Sequence, residues 1–168
     1  PRLQRRNCEL PLVLVDGNRY KREITSADWR EAPIGTDYLL EPVQSPGVFH
    51  PKVNLFASER SVFYSVSSAN LTLEEYCKAA QIGFADGFQK PTSDDETAQL
   101  GDSYFVAKSI RDFYTDLLGY EDFITGQDAR TYITETAETL AWLDEIEGSA
   151  VDETDRKTWF VSNLEDPI

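Results

Sequence analysis

A chain of 168 residues has room for one domain with its own core but not for two full domains. Its 30 Asp and Glu against 16 Lys and Arg give a formal charge of -14, which argues against a general nucleic-acid coat. No run approaches the roughly 20 apolar residues that a membrane helix requires.

An acidic, Lys-poor surface is the kind expected where concentrated salt screens self-repulsion, so a halophilic setting is expected; an acidic protein of high solubility is the plainer alternative. Two cysteines, Cys8 and Cys77, lie far apart without metal-ligand spacing, which fits a reducing cytoplasm. The chain begins at Pro1 and contains no Met, and is expected to be a piece of a longer protein.

Leu10 to Val15 is a short apolar run closed by Asp16-Gly17-Asn18, which predicts a central, buried strand ending in a turn. Residues 19 to 47 are polar or Pro- and Gly-broken around Tyr38-Leu39-Leu40 and are expected to be mostly irregular. Val53 to Ala57 and Ser61 to Val66 are β-rich runs around Ser58-Glu59-Arg60, the pattern of a hairpin. Thr72 with Glu75 forms a capping box that predicts a short helix over residues 73 to 79, followed by a strand at Gln81 to Ala85.

Residues 87 to 102 have the composition of an exposed loop, whose acidic run is most simply solvated. Val106, Ile110, Phe113, Tyr114 and Leu117 follow helical spacing up to Gly119, and Ile133, Ala137, Leu140, Leu143 and Ile146 do so up to Gly148. An acidic linker, Val151 to Asp155, precedes Thr158 to Val161, which is expected to open a further strand. The fold expected is α/β, a mixed and mostly parallel sheet covered by helices. Residues 1-148 are read as one domain, and 149-168 as an acidic linker and the start of a further segment.

The one histidine, His50, stands two residues before Lys52 at the start of the hairpin. Residues i and i+2 of a strand share a face, so the imidazole and the ammonium are expected side by side. Ser67-Ser68-Ala69-Asn70 ends the second strand of the hairpin and adds a hydroxyl and an amide. A proton carrier or nucleophile, a fixed cation and neutral donors together suit an anionic phosphodiester. Taken singly, each residue has a plainer role: Ser68 and Asn70 as helix caps, Gln81 as an ordinary strand residue, Lys52 as a solvated cation.

Phe49-His50-Pro51-Lys52-Val53-Asn54-Leu55-Phe56, followed by Ser68-Ala69-Asn70-Leu71-Thr72, resembles the His-x-Lys...Ser-x-Asn signature of the phospholipase D superfamily. Ala57 stands where many members carry Asp, and Gln81 where many carry the Glu that orients the histidine. Both features resemble the tyrosyl-DNA phosphodiesterase branch, and the likeness covers roughly residues 10 to 85.

The resemblance implies metal-independent chemistry without a cofactor. His50 attacks phosphorus to give a phosphohistidine, Lys52, Asn70 and Ser68 hold the non-bridging oxygens, and Gln81 orients His50. A second histidine must protonate the leaving oxygen, supplied by a second half in the same parent chain or by a homodimer. The expected substrate is nucleic acid or a protein-DNA adduct. The alternatives are a phospholipid phosphodiesterase, disfavoured because no membrane-binding amphipathic or polybasic segment is visible, and an inactive binding or scaffolding module.

Overall fold

The computed structural model describes residues 10-23, 34-68 and 82-146. The capping-box helix at 73-79, Asn70, Gln81, the acidic linker and the strand at Thr158 to Val161 lie outside them. The chain divides into two compact units. Their described residues are 10-23, 34-50 and 116-134 in the first, and 51-68, 82-115 and 135-146 in the second.

In the first unit the apolar run forms strand β1 (Leu12–Asp16), and helix α1 (Gly17–Glu23) follows it at once. Gly17 and Asn18 therefore open a helix rather than a turn. Asp16 is the cause: its Oδ1 accepts from the Arg19 amide at 2.6 Å, the bond by which an Asp caps a helix start. The backbone at Gly17 runs so close to β2 that a Cβ there would stand 2.6 Å from the Val43 carbonyl oxygen.

Strand β2 (Leu39–Val43), which the Pro-broken span concealed, pairs parallel with β1 from Leu12↔Leu39 to Asp16↔Val43. Among the described residues β1 pairs with β2 alone, and it is half-buried throughout rather than buried as expected. Pro42 is tolerated in β2 because among the described residues only one of its edges is paired. Buried Glu41 accepts the amides of Thr125 and Gly126, both at 2.9 Å, and so caps helix α4 (Gln127–Thr139) with a carboxylate.

The second unit is built on a three-stranded antiparallel sheet: β3 (Val53–Ser58), β4 (Ser61–Ser67) and β5 (Gly83–Gln89), in that order. The expected hairpin is β3-β4, closed by Glu59-Arg60 and running in register from Val53↔Val66 to Ser58↔Ser61. The architecture is α/β as expected. Among the described residues the strands are mixed rather than mostly parallel: three are antiparallel, and the two parallel ones form a separate sheet.

Alternation sorts the three strands. Val53, Leu55, Val62, Tyr64, Val66 and Phe88 join the main core cluster. The opposite face carries Asn54, Ser65 and the exposed pair Phe56 and Phe63, whose rings lie 6.0 Å apart.

Helix α2 (Asp94–Gln99) lies where a loop was expected. Ser93 accepts from the Glu96 amide, and Glu96 in turn accepts from the Thr92 amide and hydroxyl, so the acidic run serves a helix start. Helix α3 (Asp102–Asp116) continues into a 3-10 turn at Leu117–Gly119, matching the predicted apolar spacing. The second predicted helix breaks in two at Leu140-Ala141, giving α4 and α5 (Trp142–Glu145).

Tyr104, Val106, Ala107 and Ile110 from α3 meet Leu140, Trp142, Leu143 and Ile146 in the same core. Buried Arg111 ties α3 to α5 through a two-pronged ion pair, 2.8 Å and 3.0 Å to the oxygens of Asp144. The Arg111 hydrogen bond, outweighing the opposing effect of burial, holds the Asp144 carboxyl down at about 2.

Candidate functional site

The boundary between the two units falls directly after His50. The candidate residues are therefore described on each side of it.

On the first side, His50 is exposed and follows Phe49, a buried anchor. The Phe49 amide donates to Oδ2 of Asp16 at 2.8 Å, across 33 residues. One carboxylate thus holds both the start of α1 and the backbone immediately before His50. Burial raises the Asp16 pKa, but the amides of Arg19, Phe49 and Asn18, aided by the charge of Arg22, outweigh it and leave the carboxyl below its ordinary value. Asp16 is a residue that motif matching passed over. The available signal was an Asp placed directly before a stretch able to form a helix.

On the second side, the hairpin brings Lys52 and the serines together. The Ser67 amide donates to the Lys52 carbonyl at 3.0 Å, extending the β3-β4 pairing one residue beyond the strands. Lys52, half-buried, thereby lies opposite Ser67 at the open end of the hairpin. The next residue, Ser68, is clasped to Ile82: its amide donates to the Ile82 carbonyl at 2.8 Å, and its Oγ accepts from the Ile82 amide at 3.1 Å. The segment entering β5 is therefore pinned to the serine that follows β4.

A second unforeseen support comes from α3. The Tyr114 hydroxyl donates to the Val53 carbonyl at 2.9 Å, fixing the first residue of β3 next to Lys52. Burial pushes the Tyr114 phenol up to about 12, so this donor stays protonated at any physiological pH.

Of the five residues expected in the site, Lys52 and Ser68 are brought to one end of the hairpin, and His50 is adjacent to Lys52 along the chain. Asn70 and Gln81 lie outside the described residues. The alternation argument needs a correction: His50, Pro51 and Lys52 precede β3, so strand pairing governs Lys52 but not His50. Their proximity comes from chain connectivity, which keeps Cα atoms two residues apart within about 7 Å. On the second side an ammonium and a hydroxyl at a strand end can bind an anion, and on the first side the exposed imidazole can act as nucleophile or proton carrier.

No protein-family model, no curated protein and no solved structure matches this chain.

Proposed function

We propose that this chain is one half of a metal-independent phosphodiesterase of phospholipase D type, acting on nucleic acid or a nucleic-acid adduct. The observation that carries the proposal is the hydrogen-bonded end of the hairpin. Lys52 is paired with Ser67, Ser68 is pinned to Ile82, and His50 stands two residues upstream. A bare His-x-Lys is common, whereas a His-x-Lys whose Lys is opposed across a hairpin by the residue directly before a Ser-x-Asn is a far more restrictive arrangement.

In the proposed reaction an imidazole nitrogen of His50 forms a bond to phosphorus as the bond to the leaving oxygen breaks. A histidine from a second half gives that oxygen a proton and then takes one from the water that hydrolyses the phosphohistidine. Lys52, Ser68 and Asn70 stabilise the charge that grows on the non-bridging oxygens, and Gln81 orients His50. The chain carries one histidine, and one imidazole cannot act on both sides of phosphorus in an in-line displacement. The second half comes from the same parent chain or from a second copy.

The single histidine also favours one other reading, a phosphate-binding module without catalysis. The two separate in one assay: hydrolysis of bis-p-nitrophenyl phosphate in high salt with EDTA, by the longest natural form of the chain and by its His50→Ala variant. Turnover that persists in EDTA and disappears in the variant supports the phosphodiesterase. No turnover at any salt concentration, with phosphate binding retained, supports the module.

A further inference from the structure

The three-stranded sheet of the second unit turns one face into the core and one face outward. The outward face takes every second residue of Asn54 to Ser58, Ser61 to Ser67 and Gly83 to Gln89, three positions on β3 and four each on β4 and β5. None of these positions is charged, although 27% of the chain is, a share at which about three of them would be. Phe56 and Phe63 stand opposite each other on this face, 56% and 47% exposed. Charge returns at the rim, with Glu59 and Arg60 at the hairpin tip and Lys90 after the end of β5, all exposed. An uncharged centre with aromatic anchors inside a charged rim is the make-up of a protein interface rather than of a solvated sheet.

The chemistry of the face selects its partner. It holds no Lys or Arg to neutralise the phosphates of a nucleic acid, and its serines, asparagine and glycines are too polar for a lipid surface. A charged protein surface would leave its charges unpaired here. Two copies of this chain, each with a formal charge of -14, repel one another, and an uncharged face is where they approach at least cost.

The register makes the face complementary to itself. Phe56, Phe63 and Gly87 form one row across the strands. A Cβ on Gly87 would lie 2.8 Å from the Val62 carbonyl oxygen, so the β5 end of that row is kept without a side chain. A two-fold axis running along β4 turns β3 of one copy over β5 of the other, which lays Phe56 on Gly87 of the second copy and, by symmetry, the reverse. The same rotation brings Glu59, at the end of β3, over Lys90 of the second copy, so the rims match in charge. The Lys90 ammonium also meets Glu145 at 2.7 Å, and its three donors serve both carboxylates.

We propose that the outward face of the β3-β4-β5 sheet is a homodimer interface, with Phe56 of each copy packed on Gly87 of the other. Three strands about 4.8 Å apart and about 20 Å long give a footprint of roughly 300 Å² per copy, below the ~800 Å² of a standard interface. The dimer is therefore weak, with a Kd of about 10-100 μM. The interface does not depend on the phosphodiesterase reading.

The test is sedimentation equilibrium of the longest natural form from about 1 to about 300 μM, in low and in high salt, beside its Phe56→Ser and Ala85→Lys variants. Ala85 is exposed on the same face, so the monomer tolerates a Lys there, while a dimer would bury its charge. The unsubstituted protein is expected to dimerise, and more tightly in high salt, which screens the repulsion between acidic copies. Each variant is expected to raise the Kd about tenfold or more, because a two-fold interface feels every substitution twice. Circular dichroism checks that both variants remain folded.

A monomer at every concentration and salt overturns the inference, and if the variants of that monomer also melt lower, the face is covered by another part of the same chain. Dimerisation that neither variant weakens overturns it as well, since the contact then lies elsewhere. Hydrolysis of bis-p-nitrophenyl phosphate by the same protein is read apart from this. Turnover by a monomer removes only the interface, and a dimer without turnover removes only the catalysis.

Discussion

Replacing Asp16 with Ala removes two hydrogen bonds at once, the 2.6 Å bond from the Arg19 amide and the 2.8 Å bond from the Phe49 amide. Losing a helix cap alone costs about 1 kcal/mol, and hydrogen bonds to charged groups contribute about 1.5-3 kcal/mol. Asp16 is half-buried, so water replaces part of what is lost, and the net cost is about 2-3 kcal/mol. For a chain of this size that corresponds to a fall in Tm of roughly 5-10 °C, read by circular dichroism. Asp16→Asn keeps one acceptor oxygen without the charge and costs about 1 kcal/mol.

The pH dependence has a definite sign. The carboxyl is held below its ordinary value in the folded chain, so its contribution is complete above about pH 4. It is lost as pH falls through the lower folded value. The difference between the wild type and Asp16→Ala therefore shrinks on acidification. Because His50 is the one histidine in the chain, its ring protons give an isolated NMR signal, expected to move in Asp16→Ala with the loss of the Phe49 tether. A Tm within 1 °C of wild type, or a difference that widens between pH 6 and pH 3, refutes the account of Asp16.

Three further outcomes are expected. Gly126→Ala drives a methyl group into the Glu41 carboxylate that caps α4, so it is expected to cost about 1-3 kcal/mol in urea melts, while a neutral result would mean that the cap moves aside freely. Arg111→Met removes the ion pair to the half-exposed Asp144 and is expected to cost about 1-2 kcal/mol at pH 7. Since the Asp144 carboxyl is lowered to about 2, that cost is complete above about pH 4, shrinks as the pH falls below it and is lost near pH 2, whereas a cost already gone at pH 4 would contradict the pairing. Burial pushes Tyr64 and Tyr114 to about 12, so an ultraviolet titration of the folded chain finds these two phenols still protonated at pH 11. Stability then falls between pH 10 and 12, and complete ionisation of the folded chain by pH 11 would contradict this.

The parts that were legible in the sequence are those in which a local pattern and the packing agree. The hairpin announced itself because Val53 to Ala57 and Ser61 to Val66 alternate and the same alternation buries one face. Helix α3 did so because its apolar spacing is the stripe that enters the core. Helix α1 was hidden because Gly17-Asn18 also suits a turn, and only the side chain of Asp16 selects the helix. Strand β2 was hidden by Pro42, which an edge position accommodates.

Helix α2 had a readable signal in Ser93 and Glu96, the same Ser-x-x-Glu logic applied at Thr72, but the surrounding acids read as solvated loop. The break at Leu140-Ala141 was invisible because the apolar stripe continues across it. In the candidate site, a short motif named His50, Lys52 and Ser68, which stand among the described residues, and Asn70 and Gln81, which do not. It did not name the supports of the first three, since Asp16 acts across 33 residues and Tyr114 across 61, distances at which a linear pattern carries no information.

The most direct test of the central claim is to mix the longest natural form with bis-p-nitrophenyl phosphate, quench with alkali, in which phosphohistidine survives, and map the adduct by mass spectrometry. The account predicts an aryl-phosphoryl group on a ring nitrogen of His50 and none in His50→Ala. Turnover with His50 unmodified throughout, or an adduct on a serine such as Ser68 or on the histidine of the second half instead, would contradict it.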